Sequence, residues 1–271
     1  MGIIEFVLAG LGVGIAIGMT GVGGGSLMTP LLIMGFGLPP STAIGTDLLY
    51  AACTKSFGAF LHGRARSVHW PTVGLMAMGS VPASLGMIAW LHTNGITPWV
   101  EHLMTITLCI AIFATAVVSL LRTRLMGNRS IGAEAVATAP IDGPARAVIT
   151  VVAGLALGAL VTLSSVGAGV LGTTLLLLLY PRLSMFRVVG TDISHAVPLT
   201  LVAGLGHVEL GSAELATLGF LLIGSLPGIY IGTQLALRVR DQLLRGLVAI
   251  LLLAAGGGML WHTLSAFGLV A

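Results

Sequence analysis

Charge is what this chain has least of. Only 8% of its 271 residues are Asp, Glu, Lys or Arg, against about a quarter in a soluble domain. Of 12 basic residues one is lysine, Lys55, leaving 11 arginines. So little charge excludes an ordinary water-covered surface. Cysteine is as scarce: Cys53 and Cys109 both fall inside apolar runs, so they define no disulfide framework and say nothing of redox compartment. No spacing among histidines, cysteines and acids suggests a metal site, and no cofactor is expected. The first apolar run lacks a basic leader and an A-x-A cleavage site, and reads as mature chain rather than signal peptide.

What the chain has instead is apolar length. It is 56% hydrophobic, with a mean hydropathy of +1.06. Long runs recur, among them Ile3–Met19, Ala43–Leu61, Thr72–Leu91, Trp99–Leu121, Ala147–Leu163 and Leu215–Leu237. Several approach the roughly 20 residues that a spanning helix needs. The fold class expected is all-α and polytopic, with the lipid bilayer as its solvent. The net charge of +3 is explained by how the arginines are distributed, not by a nucleic-acid partner.

The sequence also repeats itself. "VGGGSLMTPLLIMG" in the first half answers "VGAGVLGTTLLLLL" in the second, "AIGTDLLYA" answers "VVGTDISHA", and "GSVPASLG" answers "GSLPGIYIG". The offset is nearly constant: Val22 answers Val166, Gly45 answers Gly190 and Pro82 answers Pro227. The expected organisation is a first repeat over 1–121, a cytoplasmic linker over 122–145 and a second repeat over 146–271. If Ile3–Phe36 and Ala147–Leu179 each crossed once, the arginines would divide almost evenly between the two faces. If each folds back at its glycine motif, all of them lie on one face, and Glu101, Glu209 and Glu214 on the other. The positive-inside rule selects the second arrangement. Each repeat is then a broken or re-entrant helical hairpin plus three transmembrane helices, an odd number of crossings, so the second repeat is inverted relative to the first and both termini lie outside. Inverted repeats are typical of secondary transporters, with the substrate near the midplane.

The hairpin tips fall at "TGVGGGS" (Thr20–Ser26) and "SSVGAG" (Ser164–Gly169). Non-helical backbone at membrane depth is tolerated only inside protein or beside a wet cavity. Helix starts after the two tips would aim free N–H groups and partial positive charge at an anion. The substrate-binding candidates are therefore Thr20, Gly23, Gly24, Gly25 and Ser26 in the first tip and Ser164, Ser165, Gly167 and Gly169 in the second. Close helix packing is the competing reading of these glycines. A nucleotide loop is excluded, since no strand precedes the glycines, no acidic ribose partner follows, and no lysine stands where a phosphate loop would need one.

Polar residues inside the apolar runs complete the candidate set. Lys55 lies near the middle of a run, where a charge costs about 2.5–3.5 kcal/mol on insertion scales, so it reads as the counter-charge for the anion or as half of an ion pair with Asp47 or Asp192. Its counterpart in the second half is Thr200. Asp47 and Asp192 occupy matching "GTD" positions and read as coupling groups or as first-turn acids behind the N-caps Thr46 and Thr191. His62 and His207 also match and are candidates for proton coupling. Pro82 and Pro227 read as kinks, with Ser80 and Ser225 able to satisfy freed carbonyls.

The run "GVGGGSLMTPLLIMGFGLPPSTAIGTDLL" and its echo "SSVGAGVLGTTLLLLLYPRLSMFRVVGTDI" resemble the sulfite exporter TauE/SafE (TSUP) family of membrane permeases over nearly the whole chain. The resemblance implies a transporter of a sulfur-containing anion such as sulfite, thiosulfate or sulfoacetate, with family glycines falling on Gly21, Gly23, Gly24, Gly25, Gly167 and Gly169. Aspartate at the two "GTD" positions departs from the small hydroxyl residue of many relatives. The expectation is a non-enzymatic carrier in a bacterial cytoplasmic membrane, working by alternating access, with protons as the candidate coupling ion. An anion channel is the alternative, since a donor-lined pore would need similar residues.

Overall fold

The computed structural model describes residues 2–20, 25–126, 143–236, 250, 253–259 and 261. Among them no strand occurs. The helices are α1 (Ile3–Thr20), α2 (Gly25–Pro30), α3 (Pro40–Arg64), α4 (Trp70–Asn94), α5 (Pro98–Met126), α6 (Pro144–Ser164), α7 (Val170–Leu179), α8 (Met185–Glu209) and α9 (Leu215–Ala236). Among the described residues, five helices are long and apolar enough to cross a membrane: α4, α5, α6, α8 and α9. The protein is thus an all-α, multi-pass membrane protein. Helix α3 has the same 25 residues as α4 and α8, yet Asp47, Lys55 and its many hydroxyls lower its apolarity. Its N-terminal half is buried within the protein. Helix α5 continues to Met126 and α6 begins at Pro144, so both reach into the stretch read as a linker.

Each half opens on a long helix followed by a short one. Helix α1 is followed by the short α2, which passes at Pro30 into a π-helical turn over Leu31–Gly35. A proline cannot donate to the helical ladder, and widened turns of this kind recur at functional sites. Helix α6 ends at Ser164 and the short α7 resumes at Val170.

The two halves exchange partners reciprocally. Helix α1 lies along α9, and α6 along α4. A Cβ at Gly224 of α9 would land on the Val7 carbonyl and Leu11 amide of α1, and one at Gly79 of α4 would land on the Val151 carbonyl and Leu155 amide of α6. Gly79 matches Gly224, and Val7 and Leu11 match Val151 and Leu155. The contact between α3 and α8 obeys the same rule. The Glu214 amide donates to Thr46 Oγ1 at 2.9 Å, and the matching His69 amide donates to Thr191 Oγ1 at 2.9 Å. In each case a residue of one half meets a residue of the other, and the sequence mates of both meet again.

These bonds also reassign Thr46 and Thr191. Because Pro40 opens α3 and Met185 opens α8, both threonines stand well inside their helices. They are acceptors between the halves, not N-caps.

Candidate functional site

The second tip is fully described. After α6, Ser165 adopts a left-handed conformation (φ 57°), and Gly167 (φ 126°) and Gly169 (φ 146°) continue the turn in backbone space that favours glycine. Ser164 stabilises this bend: its hydroxyl donates to the Leu160 carbonyl at 2.7 Å and accepts from the Val166 amide at 3.2 Å. That hydroxyl is spent on the turn itself. Of the first tip, Gly21, Gly23 and Gly24 lie outside the described residues, as does the side chain of Thr20 at the end of α1. What is described of it, Gly25 and Ser26, is buried.

The tips touch. A Cβ at Gly25 would fall on the Ser165 carbonyl oxygen, so only glycine permits this approach. Between them lies a cavity of about 10 Å³ lined by Gly25, Ser26, Ser165, Gly167 and Ala168 together with Thr115 of α5. It has room for roughly one water molecule.

Lys55 reaches this point from α3. Its Nζ donates to the Ala168 carbonyl at 2.6 Å, and the charges nearest the ammonium are Asp192 and Asp47. A cation thus sits against the tip backbone, on the carbonyl of a residue that lines the cavity. Asp47 is fully buried; its Oδ2 accepts from Thr29 Oγ1 at 2.6 Å and from Ser165 Oγ at 2.7 Å. It therefore stitches the return segment of the first hairpin to the tip of the second. Asp192 is buried on α8 with its carboxylate against Gly172 of α7.

The two histidines anchor turns on opposite ends of the α3/α8 pair. His207 Nδ1 is 2.8 Å from Ser212 Oγ and its Nε2 is 3.0 Å from the Thr162 carbonyl. His62 Nδ1 is 2.7 Å from Ser67 Oγ. Neither is near the cavity. Two residues of the centre were not singled out from the sequence. One is Thr29, hidden in an apolar run. The other is His195, whose Nε2 lies 2.8 Å from Ser80 Oγ in the core; this hydroxyl is engaged with the histidine rather than with a carbonyl freed by Pro82. In the first half Tyr50 stands at the His195 position and lies beside Ser225 without a well-formed hydrogen bond.

The arginine-bearing end is organised around Tyr180. The Arg146 guanidinium lies 5.0 Å from its ring centre, Thr150 Oγ1 is 2.9 Å from its hydroxyl, and the His69 ring is 6.3 Å away. Burial, and then the positive charges of Arg187 and Arg146, push the His69 imidazole below its usual range.

A multi-pass helical protein whose short helices meet beside a half-buried lysine has the architecture of a membrane transport protein. The family described as Sulfite exporter TauE/SafE matches residues 6–259, and the chain belongs to that family. It is 33% identical to the probable membrane transporter protein YjnA of Bacillus subtilis (strain 168), over 93% of this chain and 98% of that protein. It is 28% identical to the probable membrane transporter protein YdhB of the same organism, over 91% and 95% of the two chains. No solved structure matches it significantly. The chain is accordingly a membrane transporter.

Proposed function

We propose that this protein is a secondary transporter of a small sulfur-containing anion, namely sulfite, thiosulfate or an organosulfonate such as sulfoacetate, held where the two tips meet and moved by alternating access with protons as the coupling ion. The observation that carries this reading is the Lys55 ammonium on the Ala168 carbonyl beside a cavity that both tips line. A sulfur oxyanion presents several acceptors and no donors. Ser26, Ser165 and Thr115 hydroxyls, tip amides and the ammonium can replace its hydration shell. The family description supports sulfur; charge and donors support only a small anion.

Alternating access from inverted repeats is supported by the reciprocal contacts. Thr46 with Glu214 closes one end of the α3/α8 pair and Thr191 with His69 the other. With all arginines assigned to the cytoplasm, both termini are outside and the membrane is a bacterial cytoplasmic one. A cavity of one water's volume favours a carrier over an anion channel, whose conducting path would be continuous.

Proteoliposomes test this directly. Labelled sulfite, thiosulfate and sulfoacetate should enter saturably, and at least one should show counterflow against an unlabelled internal pool. Current without counterflow would assign a channel. No flux of any of the three would refute the substrate class. Cysteines placed at Arg64 and Arg182 should react with an impermeant label from one side only; opposite sidedness would refute the inverted arrangement.

A further inference from the structure

Asp47 holds two hydroxyl donors on one oxygen and none on the other. Thr29 and Ser165 both donate to Oδ2, while Oδ1 has no hydrogen-bond partner among the described residues and the residue is fully buried. An ionised carboxylate in such a place depends heavily on the donors it has. One of them, Ser165, is also a wall of the cavity between the tips. A serine hydroxyl carries one proton and can donate to one acceptor at a time.

Resting on the reading of that cavity as the anion site, we infer that Ser165 is the coupling switch: anion binding takes its hydroxyl proton bond away from Asp47, and Asp47 takes up one proton from solvent in exchange. The anion offers acceptors only, so to be held by Ser165 it must receive the O–H now given to Asp47. The carboxylate would then keep Thr29 alone, with Oδ1 still unpartnered. A proton bound there makes Asp47 a donor, and it donates to the lone pair that Ser165 Oγ exposes once its own O–H has turned to the anion. No covalent bond other than the new O–H of Asp47 forms or breaks. The anion and one proton enter together and leave together.

The groups facing Asp47 support a single proton. On its own helix these are Tyr50 and Lys55. On α8, Asp192 and His195 lie next to Lys55. Among the described residues, α2 and the α6–α7 tip bring no titratable side chain of their own to it. The matching Asp192 lacks the same device. The counterpart of Ser165 is Gly21, which has no hydroxyl, and Thr173, the counterpart of Thr29, donates to the Gly169 carbonyl of its own segment at 2.6 Å.

The test is calorimetry of the purified full chain with thiosulfate, methanesulfonate and sulfoacetate, whose charge is constant near neutral pH, in two buffers of different ionisation enthalpy. The wild type should take up about one proton per bound anion, with affinity falling about tenfold per pH unit as pH rises through that range. Asp47→Asn should bind with uptake near zero. Ser165→Ala should bind more weakly and also lose uptake, which covers the case in which the Asp47 variant does not fold. Binding without proton uptake in the wild type, or undiminished uptake in Asp47→Asn, would overturn the coupling and leave the anion site standing. No binding of any of the three anions would overturn the site and the coupling together.

Discussion

The closures at the two ends of the α3/α8 pair are made of matching residues but are not equally tight. At one end Gly45 is pressed against Ser212 and His207, His207 is 0% exposed, and its second ring nitrogen reaches the Thr162 carbonyl of α6. At the other end Gly190 is pressed in the same way against Ser67 and His62, but His62 is only partly buried, its ring lies 5.1 Å from that of Phe186, and Nε2 has no partner among the described residues. One closure has a third element locked to it and the other does not. Under the proposed alternating access, the less tightly held end, which bears Arg64, Arg66 and Arg187, is the one expected to open first.

At the centre the halves differ in chemistry. Lys55 faces the second tip, whereas the matching Thr200 donates to the Ala196 carbonyl of its own helix. The first half contributes the charge and the second the tip that the charge holds.

The largest expected effect breaks this central asymmetry. Lys55→Ala should reduce anion uptake to background while the protein still inserts and purifies, and Thr200→Ala should keep most of it. Equal loss in both would mean that the lysine is merely structural. Next comes the tip contact. Gly25→Val forces a side chain onto the Ser165 carbonyl and should cost about 1–3 kcal/mol, as overpacking does, together with anion binding, whereas Gly74→Ala, with open space at its Cβ, should melt like the wild type in a detergent thermal scan. The gate comparison predicts a smaller contrast. His207→Ala strands buried partners and should cost about 1–3 kcal/mol, and His62→Ala clearly less; equal melting shifts would deny that the ends differ. The smallest effect is local: by NMR of labelled histidine, His69 should titrate below the ordinary imidazole range, and Arg187→Gln should bring it upward by removing one positive neighbour. An unmoved titration would leave burial, with Arg146, as the cause.

Much of this was legible in the residues. The glycine strings marked the tips because such clusters at membrane depth need protein around them, and the repeat marked the tips as a pair. Lys55 stood out because an isolated charge within an apolar run must find a partner. Thr29 did not stand out, since a threonine in "SLMTPLL" has no local signature and acquires its role only when α3 brings Asp47 against it. His195 escaped because its mate is Tyr50, so the repeat comparison found no pair. Thr46 and Thr191 read as caps only if the helices begin at the apolar runs, whereas α3 begins at Pro40 and α8 at Met185. Pro40 tolerates the first turn, where its missing N–H is not needed, and extends α3 upstream of the apolar run.

The central claim is that both tips and Lys55 hold one anion. Anomalous diffraction from crystals soaked in selenite, the heavier analogue of sulfite, measures its place. The account predicts a single selenium peak between the tips, with its oxygens within hydrogen-bond distance of Ser165 Oγ and Lys55 Nζ. A peak confined to the arginine-bearing end around Arg146 and Arg187, with none between the tips, would contradict it.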